Sequence, residues 1–431
     1  MNEFRLPGAW RAVVASAVGS GLSVTAVPMY TLGIFVAPLS AEFSWSRAQI
    51  QGSITLITVA TLLTGWLVGW LTDRYGVRPV ALVGQLGFAL GLMLLTLSNG
   101  DIIVWYVTWL LLAALAMGTS PITWTRNLSA WFEERRGLAL ALGMCGSGLF
   151  GILGTPLLAR LVDRAGWRAG YIALALAVLL IALPVAWKWL HEPQRKRVGT
   201  SVVGASAGMT YGDALRSPRF WLLAVSTAGI GFSVGGLIPN LQPLLMDRGL
   251  ASTHAAAFLS LMGVSVVIGR LVSGLLLDRF WAPAVATIFL SMPAAACWLF
   301  TQPELGSVAL MSAVALIGLA AGAEFDLLAY LCARYFGLQH YSQIYGTQWV
   351  VFAVFSGSGP PIFGYAYDVT HSYVSILYVA CVIFLVAPAL LLMLGRYPSF
   401  PAPDVRRESA KEESAGAETG PPASVGHPLQ S

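Results

Sequence analysis

Apolar runs long enough to cross a bilayer recur from Ala12 to Leu394, with only short polar breaks between them. A spanning helix needs roughly 20 such residues, and in lipid its backbone groups can pair only within the helix. The chain is therefore predicted to be an all-α membrane protein. The runs place twelve transmembrane helices, near 11–37, 49–72, 79–98, 102–126, 138–163, 170–190, 219–245, 254–278, 283–301, 305–333, 342–367 and 373–395. Charged residues make up only 10% of the 431, against about 25% in a soluble domain.

The net charge of +5 does not mark a nucleic-acid binder, because the basic residues sit in short loops and build no single basic face. All but six of the 25 Lys and Arg fall on one side of the helices, among them Arg135, Arg136, Arg195, Lys196 and Arg197. Arg47, Arg160, Arg164, Arg168 and Arg248 fall on the other, and Arg270 lies inside a span. Such a bias puts the richer side in the cytoplasm, and with it both termini of a multi-pass plasma membrane protein. The first 30 residues carry no charged segment followed by a short cleavable core, so the first helix is expected to be retained.

Cys145, Cys297, Cys332 and Cys381 lie in apolar segments without metal-ligand spacing and are expected to be free thiols. No metal and no cofactor are predicted. Gly146-Ser-Gly148-Leu-Phe-Gly151 has the dinucleotide-binding spacing, yet no strand precedes it and no acidic ribose partner follows. These glycines are expected to let the fifth helix pack closely. With no lysine-bearing phosphate loop either, ATP is not the energy source.

Two halves share one spacing. Gly69-x-x-x-Asp73-Arg74 closes the second helix, and Gly274-x-x-x-Asp278-Arg279 closes the eighth. Gly154, Pro156 and Asp163 mark the fifth, and Gly359, Pro361 and Asp368 mark the eleventh. Each of these pairs is 205 residues apart. Trp131-Phe132 and Tyr335-Phe336 echo one another more loosely. The repeat divides the chain into a six-helix bundle at 1–190, a cytoplasmic linker at 191–218, a second six-helix bundle at 219–397 and a tail at 398–431. The tail has almost no large apolar side chains and is predicted to be disordered. Internal repeats of this kind are common in transporters.

Gly69-x-x-x-Asp73-Arg74-x-Gly76-x-Arg78-Pro79 resembles the loop 2–3 signature of the major facilitator superfamily. Three further stretches resemble its bacterial branch related to oxalate/formate antiporters and monocarboxylate transporters. They are Gly33-Ile-Phe-Val-Ala-Pro-Leu-Ser-Ala-Glu-Phe-Ser-Trp-Ser-Arg47, Trp131-Phe-Glu-Glu-Arg-Arg-Gly137, and Gly322-Ala-Glu-Phe-Asp326 through Arg334-Tyr-Phe-Gly337. The resemblance covers 10–395 and implies the major facilitator fold, two pseudo-symmetric six-helix bundles with a pathway that opens alternately to each side. It implies small organic anions as cargo, and the chain is expected to work as a monomer.

In the resembling transporters an eighth-helix arginine pairs with the substrate carboxylate, and Arg270 matches that position. The loop signature implies charge contacts that hold the inward side shut, carried here by Asp73, Arg74 and Arg78 and repeated by Asp278 and Arg279. Phe280-Trp281 replaces the basic continuation, so the second gate is expected to be the weaker. Two departures stand out. Lactate transporters of this family place an aspartate one turn before the arginine, where this chain has Val266. The oxalate exchanger carries a lysine in helix eleven, and 341–372 holds no Lys or Arg. A single cavity cation favours a monocarboxylate over a dianion.

The residues themselves point the same way. A charge inside a span costs at least ~2.5–3.5 kcal/mol, so Arg270 must face a partner or a watery cavity. Its stripe, Ser260, Gly263, Val267, Arg270 and Gly274, is mostly small residues. Guanidinium stays charged and presents a two-pronged donor face to a carboxylate, although a structural ion pair is the competing role. Glu324 and Asp326 point about 200° apart on the tenth helix, while Asp326, Tyr330 and Arg334 share a face. Asp326 pairs with Arg270, takes up a coupled proton or makes a static bridge within its helix. Glu324 stands with Asp326 as a candidate for proton coupling or an ion pair, with support of packing or of the inner gate as its expected role. Tyr30, Trp124, Tyr330, Gln348 and Trp349 are candidates to orient a carboxylate or cap the cavity, with packing as their alternative. Arg126, near the inner end of helix four, is expected at the gate.

The expected function is secondary transport of a small carboxylate, driven by a proton gradient or by exchange. A drug or amphiphile efflux pump of the same fold and a transporter-like sensor acting through its tail are the alternatives. No nucleophile–base or metal constellation suggests an enzyme.

Overall fold

The computed structural model describes residues 8–46, 49–50, 52–192, 208–247, 252–303 and 305–400; most of the predicted linker and nearly all of the tail lie outside them. The described residues form twelve spanning helices: α1 (Ala9–Gly21 and Ala26–Phe43), α2 (Ser53–Tyr75), α3 (Val77–Leu95), α4 (Ile102–Ala116 and Pro121–Trp131), α5 (136–165), α6 (167–189), α7 (Pro218–Asp247), α8 (Ser252–Leu277), α9 (Ala282–Thr301), α10 (Ser307–Phe336), α11 (Tyr341–Thr370) and α12 (Val374–Leu390). Among the described residues, nine segments are long and apolar enough to cross a bilayer. One of them, the 54-residue Arg136–Trp189, turns at Gly166 (φ 82°, ψ 168°), a backbone only glycine adopts easily, and so makes both α5 and α6. α8, with its shorter apolar stretch Leu261–Leu277, and the more polar α11 complete the twelve.

Two helices predicted to be continuous are broken. Leu22 leaves α1 (φ −103°, ψ 47°), and the freed groups find local partners. Ser23 Oγ donates to Ser20 O (2.8 Å), and Val24 N–H donates to Thr119 Oγ1 (3.0 Å). Thr119 lies in the 3₁₀ turn Met117–Thr119 that splits α4, and Pro121, which has no N–H to satisfy, opens the second piece. Irregular backbone at membrane depth survives only where protein satisfies it; here the break in α4 serves the break in α1. Two π-helical turns, Phe150–Gly154 and Val178–Ala182, each end two residues before a proline, Pro156 and Pro184. A proline ring excludes the ordinary i→i−4 bond, and the wider turn absorbs the conflict.

Within the first half α1 packs on α5, and α4 packs on α2 and α3. Within the second, α7 packs on α11, α8 on α10, and α9 on α10 and α12. The halves meet along two seams, α2 against α11 and α5 against α8. By the 205-residue offset these are one seam repeated, since α2 corresponds to α8 and α5 to α11. The apolar core of the second half also takes in Ala9, Val13, Leu128, Phe132, Ala139 and Leu140 from the first. Those residues come from the first piece of α1, the second piece of α4 and the start of α5. They lie toward the end of the bundle where the described chain begins and finishes, termed the terminal end below. The described part of the linker docks at this end too: Met209 N–H donates to Phe336 O (2.8 Å), and Tyr211 Oη pairs with Thr347 Oγ1 (2.9 Å).

Candidate functional site

At the terminal end each half places an aspartate against a helix start of the other. The last turn of α2 puts Asp73 before α11, where its oxygens accept from Ser342 N–H (3.1 Å) and Gln343 N–H (2.9 Å). The end of α8 puts Asp278 before α5, where it accepts from Gly137 N–H (2.7 Å) and Leu138 N–H (3.0 Å). The first amides of a helix have no partner within it, and the helix dipole favours a negative charge there. The close approach needs glycine. A methyl group on Gly69 would overlap the Ser342 carbonyl, and one on Gly137 would overlap the Gly274 carbonyl. Arg126 strengthens one copy: it stands 3.7 Å from Asp73 Oδ1 and donates through Nη1 to Leu338 O in the turn before α11.

Arg270 occupies the middle of the α5–α8 seam, and its residue is only 6% exposed. Nε lies 3.3 Å from Asp326 Oδ2 on α10 and donates to Gly322 O (3.1 Å). Nη1 reaches into the other half, donating to Met144 O and to Ser147 Oγ (3.3 Å) on α5. Nη2 has no hydrogen-bond partner among the described residues. Asp326 is fully buried, and neither of its carboxylate oxygens accepts a hydrogen bond, so the ion pair to Arg270 is its main compensation. Along α8, Val267 faces Gly148 and Gly274 faces Ala141 and Gly137, while Gly263 borders open space. The side chain of Ser260 lies outside the described residues. Sequence reasoning did not anticipate Ser147 or the Met144 carbonyl, because an unremarkable stretch of α5 supplies them.

The other candidates scatter. Tyr30 is 37% exposed and lays its ring beside Gly151 in the π-helical turn of α5. Trp349 stacks on Phe352 (5.9 Å) and packs at a tilt against Phe325 (4.9 Å) inside the second half, and its Nε1 has no hydrogen-bond partner among the described residues. Trp124, expected as a possible substrate contact, is instead core: it is fully buried, donates to Thr119 O (2.8 Å) and fills the space beside Gly19. Gln348 is likewise fully buried and donates to Phe220 O (3.2 Å), joining α11 to α7 rather than facing a cavity. Tyr330 lies at the terminal end within the fields of Arg136, Arg334 and Asp278, one helical turn away from the Arg270 pair.

Three of the expected gate residues do not bridge the halves. Arg74 is exposed over the rings of Trp70 (5.2 Å) and Tyr75 (5.7 Å). Arg78 donates to Trp187 O (2.6 Å) within its own half, and Arg279 is exposed. A carboxylate before a helix start uses backbone amides, so the neighbouring arginines are left on the outer face. Glu324 looks away from Arg270, into a cavity of the second half. Among the described residues no cluster of His, Cys, Asp and Glu could hold a metal ion.

Two pseudo-symmetric helix bundles, tied at one end and holding a buried cation on their seam, define a membrane transporter rather than an enzyme. The profile of the Major Facilitator Superfamily matches residues 15–360, and the chain belongs to that family. It is 26% identical over 333 residues to the MFS-type transporter YhjX of Escherichia coli (strain K12), covering 76% of this chain and 81% of that one. It is 27% identical over 412 residues to monocarboxylate transporter 11 of Mus musculus, covering 90% and 87%. The fold is similar to the E. coli fucose:proton symporter FucP, in the structure of its outward conformation (TM-score 0.69, 15% identity, 92% of this chain and 100% of that one). It is also similar to the human organic anion transporter MFSD10 (TM-score 0.68, 17% identity, 89% and 100%). The chain is thus a multi-pass membrane transporter that moves small molecules.

Proposed function

We propose that this transporter carries a small organic anion, a monocarboxylate first of all, by alternating access, coupled to protons or to anion exchange. Arg270 carries the reading. It is a permanent cation on a seam helix, bound to one acidic side chain, with Nη1 on neutral acceptors of the opposite half and Nη2 uncommitted. A substrate carboxylate is a stronger acceptor for guanidinium than a carbonyl or a hydroxyl. Its arrival would draw Nη1 away from Met144 O and Ser147 Oγ, and so loosen the α5–α8 seam at the moment of binding. Tyr30, exposed beside α5, is placed to meet the rest of a small substrate. The kinship with a monocarboxylate transporter supports the anion class.

With the terminal end in the cytoplasm, as the charge bias expects, Asp73, Asp278 and Arg126 form the inner gate, closed in this conformation. Radiolabelled carboxylates offered to right-side-out vesicles test the proposal, under an imposed pH gradient and in counterflow. Accumulation by either route supports it; no organic acid accumulating by either overturns it.

A further inference from the structure

A second carboxylate on α10 is left unused by the Arg270 centre. Two residues apart on a helix means about 200° of rotation, so while Asp326 faces Arg270, Glu324 faces the interior of the second half. It is 8% exposed, its Oε2 has no hydrogen-bond partner, and no ion pair reaches it among the described residues. It borders a cavity between α7, α9, α10, α11 and the end of α12, whose other polar lining is Ser226 and Thr227. Ser226, 1% exposed, also holds an Oγ without a partner. The rest of the wall is Leu, Phe and one Ile.

Among the described residues, the surroundings supply no counter-charge in contact. From α8, the field of Arg270 reaches Glu324, but no ion pair joins the two among the described residues: Nε and Nη1 are engaged with Asp326, Gly322 and α5. Cys145 on α5 and Tyr345 on α11 gather on the Arg270–Asp326 side. Arg126 on α4 is committed to Asp73 and Leu338 O. α9 offers the thiol of Cys297, and α7 and α12 offer only hydroxyls and apolar groups to the cavity. An ionised carboxylate here lacks the pairing and hydrogen bonds that a buried charge requires. One carboxylate and two hydroxyls are too few oxygens for a bare metal cation such as calcium. A proton needs only the carboxylate.

We propose that Glu324 is a proton-binding site separate from the anion site, and that it carries the proton moved in each transport cycle. The chemistry is O–H exchange alone: a carboxylate oxygen takes a proton from hydronium, leaving water, and later returns it to water. Ser226 and Thr227 stand in the same cavity to orient the acid. Because Glu324 and Asp326 share one rigid helix, any tilt of α10 that follows separation of the Arg270–Asp326 pair also changes the setting of Glu324. The carrying role rests on the anion-transport reading; the proton site does not.

Infrared difference spectra of the purified full-length protein, between acid and alkaline buffer, test the site itself. A protonated-carboxyl C=O band that is lost in Glu324→Gln and kept in Asp326→Asn is expected; a band that survives Glu324→Gln overturns the assignment. In proteoliposomes, the ratio of pH-driven accumulation to counterflow is expected to fall by about tenfold or more in Glu324→Gln, and to recover in part in Glu324→Asp. An unchanged ratio, or wild-type accumulation driven by a sodium gradient, overturns the carrying role. A wild type that exchanges no organic acid refutes the anion reading instead, and the infrared band still decides the proton site.

Discussion

At Arg270 charge and shape can be separated. Lysine keeps the positive charge but cannot span Asp326 on one side and α5 on the other with a planar fork. Arg270→Lys is therefore expected to lose one or two charge-assisted hydrogen bonds to a carboxylate, about 1.5–3 kcal/mol, or about 10- to 150-fold in affinity. Thermal-shift titrations of the purified variant with mono- and dicarboxylates measure it, since a ligand bound only to the folded protein raises its apparent stability. Affinity equal to the wild type would show that a point charge suffices. This residue was legible in the sequence, because a lone arginine inside an apolar run has few uses. Trp124 and Gln348 were not. Both sit on the right helices, but which way a polar side chain points depends on the rotation of the whole helix. α11 has too little amphipathic contrast to declare that rotation, and in the second piece of α4 every residue from Pro121 to Ser129 is buried, so polarity there does not mark a cavity face. Their short bonds to Thr119 O and Phe220 O, made inside one half, could be seen only once the helices were packed.

Among the helices, the starts of α5 and α11 do the work usually assigned to side chains. A carboxylate at a helix N-terminus is worth about 0.3–1 kcal/mol, and up to ~2 in partly buried geometry. Asp278→Asn is thus expected to shift the balance toward opening at the terminal end by about two- to fivefold. Asp73→Asn should shift it further, because Arg126 loses its acidic partner as well. Spin labels at the exposed Arg74 and Arg279, one on each half, report the change as a longer distance population in pulsed dipolar spectra. Equal and negligible shifts in both variants would remove the aspartates from the gate. The sequence showed the two aspartates plainly. Their partners could not be seen, because backbone amides carry no signature and Gly137, Leu138, Ser342 and Gln343 share no chemistry. The breaks in α1 and α4 were hidden for a related reason. No charged residue marks them: Ser20 to Thr25 in α1 and Gly118 to Pro121 in α4 are neutral and leave the long hydropathic runs intact, and the pairing of Val24 with Thr119 across the two breaks cannot be read from either run.

In the molecule as a whole, twelve helices and a constant offset were readable from hydropathy and spacing, and the fold follows from them. The seam adds something the offset alone does not say. Asp73 meets residues 342 and 343, while Asp278 meets 137 and 138, and 342 and 343 are themselves 205 positions beyond 137 and 138. Contact of one position with a second, returned by the second's equivalent with the first's, is the rule of an isologous interface between two identical subunits. This single polypeptide therefore carries a self-complementary surface of the kind a homodimer of six-helix chains would use. One consequence is that the peptide connection between the halves is dispensable for their recognition. Fragments 1–207 and 208–431, co-expressed with a tag on one alone, are expected to co-purify from membranes. The Asp73→Asn/Asp278→Asn double variant should recover less of the untagged partner than either single change. Arg126, present on one side only, marks where a surface built for self-pairing has since diverged into a lock and a counterpart that are no longer interchangeable.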